Sequence, residues 1–289
     1  MVVETLLAAL LSSFPTPRPD SASAPALHAA ALTASAWTRG SFASSDGARL
    51  GYEYRAGAGD PVLLVHGLGL GAASFAAWGS LFPGRPLMVL ERRGYGAPAG
   101  DVDESDIGPA NVADVSAAVD DARRLSGGAR VGLVGYSWGA LALPAPDPAR
   151  MAWVAYVCPG VPGMSRYLPA SEQALEAQTR YWHAMARAGG PVALSSWLAE
   201  VIEPGVLQLA AKARSLGMGA AADALTRRAS DPAFLELYTD ESLWAYAQDG
   251  APPPARGVPV FVGYAEGDLV VPPASVRARV GALRAAGAS

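Results

Sequence analysis

The chain of 289 residues has one cysteine and three histidines, and nearly all its positive charge is arginine, Lys212 being the only lysine. A lone cysteine, Cys158, excludes an internal disulfide framework, and a reduced cytoplasm is the default compartment for such a chain. The net charge is -4 and no basic cluster exceeds a pair, so no phosphate-neutralising face for nucleic acid is present. Small molecules or short peptides are the expected partners. No apolar run approaches the roughly 20 residues needed to cross a bilayer, so no membrane span is expected. Oligomeric state has no signature in the sequence.

What is present is ample apolar material: 51% of residues are hydrophobic, enough to bury a large core in one α/β domain carrying an insertion. Residues 1–36 read as an extension, with a short amphipathic helix, a Pro/Ser linker and a second helix. The stretch carries Glu4 and no Lys or Arg before its apolar run, which argues against a signal peptide. Further on, "TRGSFASSDGARLGYEYRAG" reads as two strands joined at Asp46-Gly47, a dipeptide suited to a tight turn. "PVLLVHG" is a continuous apolar run, the pattern of a parallel strand buried on both faces. Similar runs recur at "PLMVLE", "RVGLVG", "AWVAYV" and "VPVFVG", and stretches of helical period such as "NVADVSAAVDDARRL" lie between most of them. This alternation predicts a doubly wound, mostly parallel sheet. It breaks over 161–256, where every segment has helical pattern. A helical cap subdomain is expected there, between the core segments 37–160 and 257–289.

The candidate chemistry centres on Gly135-Tyr136-Ser137-Trp138-Gly139. This G-x-S-x-G pentad directly follows a buried strand and precedes a helix start, the setting of a nucleophile elbow. A sharp turn there strains the serine backbone, and Gly135 and Gly139 let neighbouring elements approach. Pro144, Pro146 and Pro148 are expected to stop the following helix after about two turns.

With these residues the chain resembles the α/β-hydrolase superfamily from about Phe42 to its last residue, the cap matching in position and helicity. "VHGLGLG" (65–71) is similar to the family's oxyanion loop; by that resemblance the backbone N–H groups of Leu68 and Trp138 would be the oxyanion donors, Gly67 would shape the loop and His66 would brace it. "LERRGYGAP" resembles the family's D-x-R-G-x-G-x-S segment, with Glu91 in place of the Asp and Ala97 in place of the Ser. Arg92 is expected as a loop anchor and Arg93 as a solvated charge. "VGYAEGDLVVPP" resembles the strand and turn that carry the family's acid, which assigns that role to Asp268; its alternative is to cap the helix that follows. Cys158 reads as a buried small hydrophobe. The resemblance implies a serine hydrolase acting on an ester or amide through an acyl-enzyme, with no metal or organic cofactor.

A serine hydroxyl needs an imidazole to take its proton. The family order is Ser, acid, His, and no histidine follows Asp268; the only ones are His28, His66 and His183. Three explanations stay open. The chain stops before the family's last strand, His loop and helix, and is inactive as it stands; it is a degenerate hydrolase-fold binding protein or a non-hydrolytic catalyst; or His183 from the cap or His28 from the extension substitutes. "GYSWGA" and "YVCPGVPG" also look like proline-iminopeptidase relatives, in which case Glu172, Glu176, Glu200 or Glu203 would bind a substrate amine.

Overall fold

A computed structural model describes residues 37–96, 106–215, 219–248, 250, 257–266, 268 and 271–288. The expected N-terminal helices, His28, Ala97 and the proline run at 251–256 lie outside these residues. Seven strands form one sheet: β1 (Thr38–Ala43), β2 (Arg49–Arg55), β3 (Val62–Val65), β4 (Leu87–Leu90), β5 (Val131–Tyr136), β6 (Met151–Val157) and β7 (Val260–Gly263). Their spatial order is β1-β2-β4-β3-β5-β6-β7. The β1–β2 and β2–β4 pairs are antiparallel and all others parallel. The hairpin turns where expected: Gly47 takes φ 87°, and the Ser44 N–H donates to the Ala48 carbonyl at 2.8 Å.

The central strands are buried on both faces, as their unbroken apolar runs require. Leu63 and Val65 of β3 pack with Met88 and Leu90 of β4 on one side, while Val62 and Leu64 pack with Leu87 and Val89 on the other. Burying each such side chain stabilises the fold by about 1.5–3 kcal/mol. One face is covered by helix α1 (Ile107–Leu125), whose Ile107, Val115, Ala118, Val119 and Ala122 form a stripe at helical spacing. The other is covered by a short 3-10 segment, Ala72–Leu81, through Phe75 and Trp78. At the edge, β7 departs from the expected doubly buried strand: it alternates half-buried with exposed positions, and Phe261 is 58% exposed against Trp153.

Among the described residues five α-helices lie between β6 and β7: α2 (Ala170–Ala188), α3 (Pro191–Trp197), α4 (Glu203–Ser215), α5 (Gly219–Arg228) and α6 (Pro232–Ala247). Among them α6 is the innermost. It is apolar on most of its circumference, the pattern of a buried helix, and it opens with Pro232 behind Asp231, whose carboxylate accepts the Ala233 N–H at 3.1 Å. A last helix, α7 (Pro273–Ala285), follows β7.

Candidate active site

Ser137 begins immediately after β5, with φ at 52°, in the left-handed region that a side chain bearing Cβ adopts at a cost of about 1–3 kcal/mol. The surrounding glycines explain how the bend is accommodated. A Cβ on Gly139 would lie 2.5 Å from the carbonyl oxygens of Val65 and His66; one on Gly135 would lie 2.7 Å from the Ala140 Cα; one on Gly67 would lie 2.9 Å from the Ser137 Cβ. The elbow and the 66–71 loop are therefore in direct contact. The Ser137 carbonyl is held in turn by the Gly160 N–H at 2.9 Å.

The helix expected after the elbow is one turn of 3-10 helix, Ser137–Ala140, not two turns of α-helix. Pro144 and Pro146 lie in the irregular chain that follows and Pro148 in the turn that leads to β6, where no N–H need be donated at these positions. So short a turn carries little macrodipole, and electrostatic help must come from individual backbone amides.

Ser137 lines a small cavity together with Leu68, Trp138, Leu141, Met164 and, from α6, Tyr246. The structure thus brings the serine and both expected donor residues to one wall. Asp268 is buried just behind it: its Oδ1 accepts the N–H of Val271 at 3.1 Å, and Val271 also lines the cavity. Helix α7 has no side-chain cap, its N-cap position being Pro272, so Asp268 holds the turn ahead of that helix and does not cap it. Cys158 lies beside this carboxylate. The residue is only partly buried and takes φ 43°, unlike the core hydrophobe expected. Burial first, and the Asp268 charge second, push its thiol up to about 11, so it stays protonated at neutral pH.

His66 is fully buried and both ring nitrogens are engaged: Nδ1–H donates to the Gly67 carbonyl at 2.9 Å and Nε2 accepts the Arg92 N–H at 3.2 Å. Burial, then the Arg92 charge, hold its pKa well below the usual histidine range. It is a neutral brace with no lone pair to offer Ser137. His183, on α2, is stacked on Trp197 with Nδ1 3.7 Å from Asp240 Oδ1. Asp240 lies about 160° around α6 from the mean direction of the cavity-lining Ser242, Ala245 and Tyr246. The helix therefore stands between His183 and the serine, which removes it as a substitute base. Glu172, Glu176, Glu200 and Glu203 do not line the cavity either; Glu176 pairs with Arg180, so the expected amine-binding role finds no support.

The most connected side chain is Arg92, fully buried. Its guanidinium pairs with both oxygens of Glu241 on α6, donates to the carbonyls of His66 and Gly67 at 3.0 and 3.2 Å and to Asn111 at 3.3 Å, and lies 4.3 Å from the Trp138 ring. Glu241 also accepts the Tyr95 hydroxyl at 2.7 Å, which itself accepts the Gly69 N–H at 2.9 Å. The Glu241 carbonyl receives the Trp138 indole N–H at 2.7 Å. One residue of α6 thus grips both the 66–71 loop and the elbow. Arg93, expected as a solvated charge, is 3% exposed and bonded bidentately to Asp114 at 2.7 and 2.9 Å. Asn111, Asp114 and Glu241 were not foreseen as partners. Their signal was a polar residue on an apolar helical stripe: 241 is in register with Phe234, Tyr238 and Ala245.

Residues 62–288 match the family model described as "Alpha/beta hydrolase family". The chain belongs to that family. No curated protein matches it in sequence. Among solved structures it is similar to an N-formylmaleamic acid deformylase from Pseudomonas putida (18% identity, 86% of this chain and 89% of that one, TM-score 0.56). It is also similar to an esterase from Exiguobacterium antarcticum (14%, 83% and 85%, TM-score 0.53). A third likeness is to the bottromycin epimerase BotH in complex with bottromycin A2 (21%, 86% and 98%, TM-score 0.52). At these identities the likenesses show the shared fold. Among the described residues no helix is long and apolar enough to cross a membrane.

Proposed function

We propose that the chain carries the acyl-transfer half of a serine hydrolase acting on an ester or amide of a small molecule or short peptide. The observation that carries this reading is Ser137 itself: a strained, positive-φ serine at the end of a central strand, sharing one cavity wall with Leu68 and Trp138. Ser137 Oγ attacks the carbonyl carbon, and the Leu68 and Trp138 amides receive the tetrahedral oxyanion. A backbone donor so aimed is worth about 3 kcal/mol of transition-state stabilisation. The leaving group departs with a proton and water then releases the acyl group, both steps needing an imidazole that Asp268 would orient. Residues 161–256 serve in this reading as the cap that closes the cavity.

Neither described histidine is positioned to be that imidazole, so this chain alone should turn over esters negligibly and react slowly with a fluorophosphonate. Slow labelling that disappears in Ser137→Ala and is unchanged in His183→Ala supports the reading. Fast labelling that His183→Ala abolishes overturns it. A second reading, a pocket that binds or isomerises without hydrolysis, is favoured by the same lack of a placed base among the described residues; a ligand bound tightly by Ser137→Ala and the unaltered chain alike, and released unhydrolysed, would select it.

A further inference from the structure

A second cavity, of about 370 Å³, lies on the other side of the 66–71 loop and takes no part in the proposed hydrolysis. Its size falls in the range of roughly 300–1,000 Å³ typical of small-molecule sites. Leu68 faces the serine cavity, whereas Gly69, Leu70 and Gly71 line this one.

The charges in its wall are arranged unusually. Glu91 is held by backbone: its Oε2 accepts the Ala72 N–H at 3.0 Å, and Gly71 and Gly96 press so closely that a Cβ on either would lie 2.9 Å from Oε1 or 2.2 Å from Cγ. No ion pair satisfies this carboxylate among the described residues. Burial raises its pKa while Arg228 favours the charged form. Arg228 is fixed in place by a hydrogen bond to the Gly94 carbonyl and by the rings of Tyr95 and Phe234, at 4.9 and 4.2 Å. No carboxylate forms a close ion pair with it among the described residues, although Glu91, Asp231 and Glu241 act on it at longer range; its exposed neighbour Arg227 forms no such pair either. Arg39, by contrast, is matched by Glu53 at 3.5 Å. Tyr52 and Leu70 supply apolar wall between the charges.

We propose that this cavity binds a small zwitterion with an apolar side chain, of amino-acid size, its ammonium on Glu91 and its carboxylate on Arg227 and Arg228. Each end then makes charge-assisted hydrogen bonds that the protein leaves open. This site is independent of the hydrolytic reading, since it uses neither Ser137 nor Asp268.

The test is calorimetric titration of the full chain with L-leucine, N-acetyl-L-leucine and L-leucinamide. L-Leucine is expected to bind, with the two singly charged analogues weaker by about tenfold or more. Arg227→Ser, an exposed change, should weaken L-leucine by about tenfold while leaving L-leucinamide unchanged; Glu91→Gln, which keeps the Ala72 hydrogen bond, should weaken L-leucinamide and leave N-acetyl-L-leucine unchanged. Ser137→Ala, which removes the proposed nucleophile without adding volume, should not alter L-leucine binding. No binding of L-leucine, equal binding of all three probes, indifference to both Arg227→Ser and Glu91→Gln, or loss of binding in Ser137→Ala overturns the proposal.

Discussion

The two cavities divided by the 66–71 loop are built on opposite terms. The one that holds Ser137 measures about 30 Å³, enough for about one water, and its lining is clamped by backbone contacts and by the buried Arg92–Glu241 pair. The other is more than ten times larger, ringed with glycine backbone and open charges. The larger space is not where the proposed serine chemistry lies. Oxyanion donors must be rigid before the substrate arrives, and rigidity here comes from close packing that leaves little room. Helix α6 supplies Ser242, Ala245 and Tyr246 to the wall of the serine cavity, and Leu141, Met164 and Val271 add to its apolar lining.

The sharpest way to break this contrast is Glu241→Ala, which strands a fully buried guanidinium and unties the 66–71 loop from α6. A loss of roughly 3–5 kcal/mol of unfolding free energy is expected by urea titration, with Glu241→Gln losing less because it still accepts from Tyr95. Next in size is Gly139→Ala, whose Cβ meets two backbone carbonyls that cannot swing away; a loss of about 1–3 kcal/mol is expected. Acid should act on α2 and α6 before the sheet. Burial, then the charges of Arg187 and Arg180, hold His183 at about 4, below its unfolded value of 6.5. Above pH 6.5 the histidine is neutral in both states, and as pH falls the unfolded chain takes the proton first. Stability is lost between pH 6.5 and 4, by about 1–3 kcal/mol, and His183→Gln should flatten that part of the pH profile. The reverse sign is expected for Ser137→Gly, which relieves the positive φ and should stabilise the chain by about 1 kcal/mol. Smallest of all, Arg227→Ser at the edge of the large cavity should shift the urea midpoint by no more than the equivalent of about 0.5 kcal/mol.

Much of this was legible in residues. Unbroken runs such as "VLLV" specify central strands because only a doubly covered strand can bury consecutive side chains, and the turn at Asp46-Gly47 is chemically dictated. Gly135 and Gly139 signal that neighbouring elements approach the elbow, whereas the contact of Gly67 with Ser137 is seen only in the fold. The rest depends on long-range pairing, which local pattern does not encode. Nothing in "LERRG" distinguishes a buried Arg93 from a solvated one until Asp114, 21 residues on, is seen to face it. The Arg92–Glu241 pair spans 149 positions. The length of the helix after the elbow was overestimated because its prolines act on the whole segment, and β7 reads as buried although it lies at the sheet edge.

The most direct test of the central claim is the rate at which a fluorophosphonate labels Ser137, measured by intact mass as free imidazole is added. The account predicts slow labelling of the chain alone, a rise as imidazole supplies a base from solution, and neither in Ser137→Ala. Rapid labelling without imidazole, or an imidazole-dependent adduct on any residue other than Ser137, would contradict it.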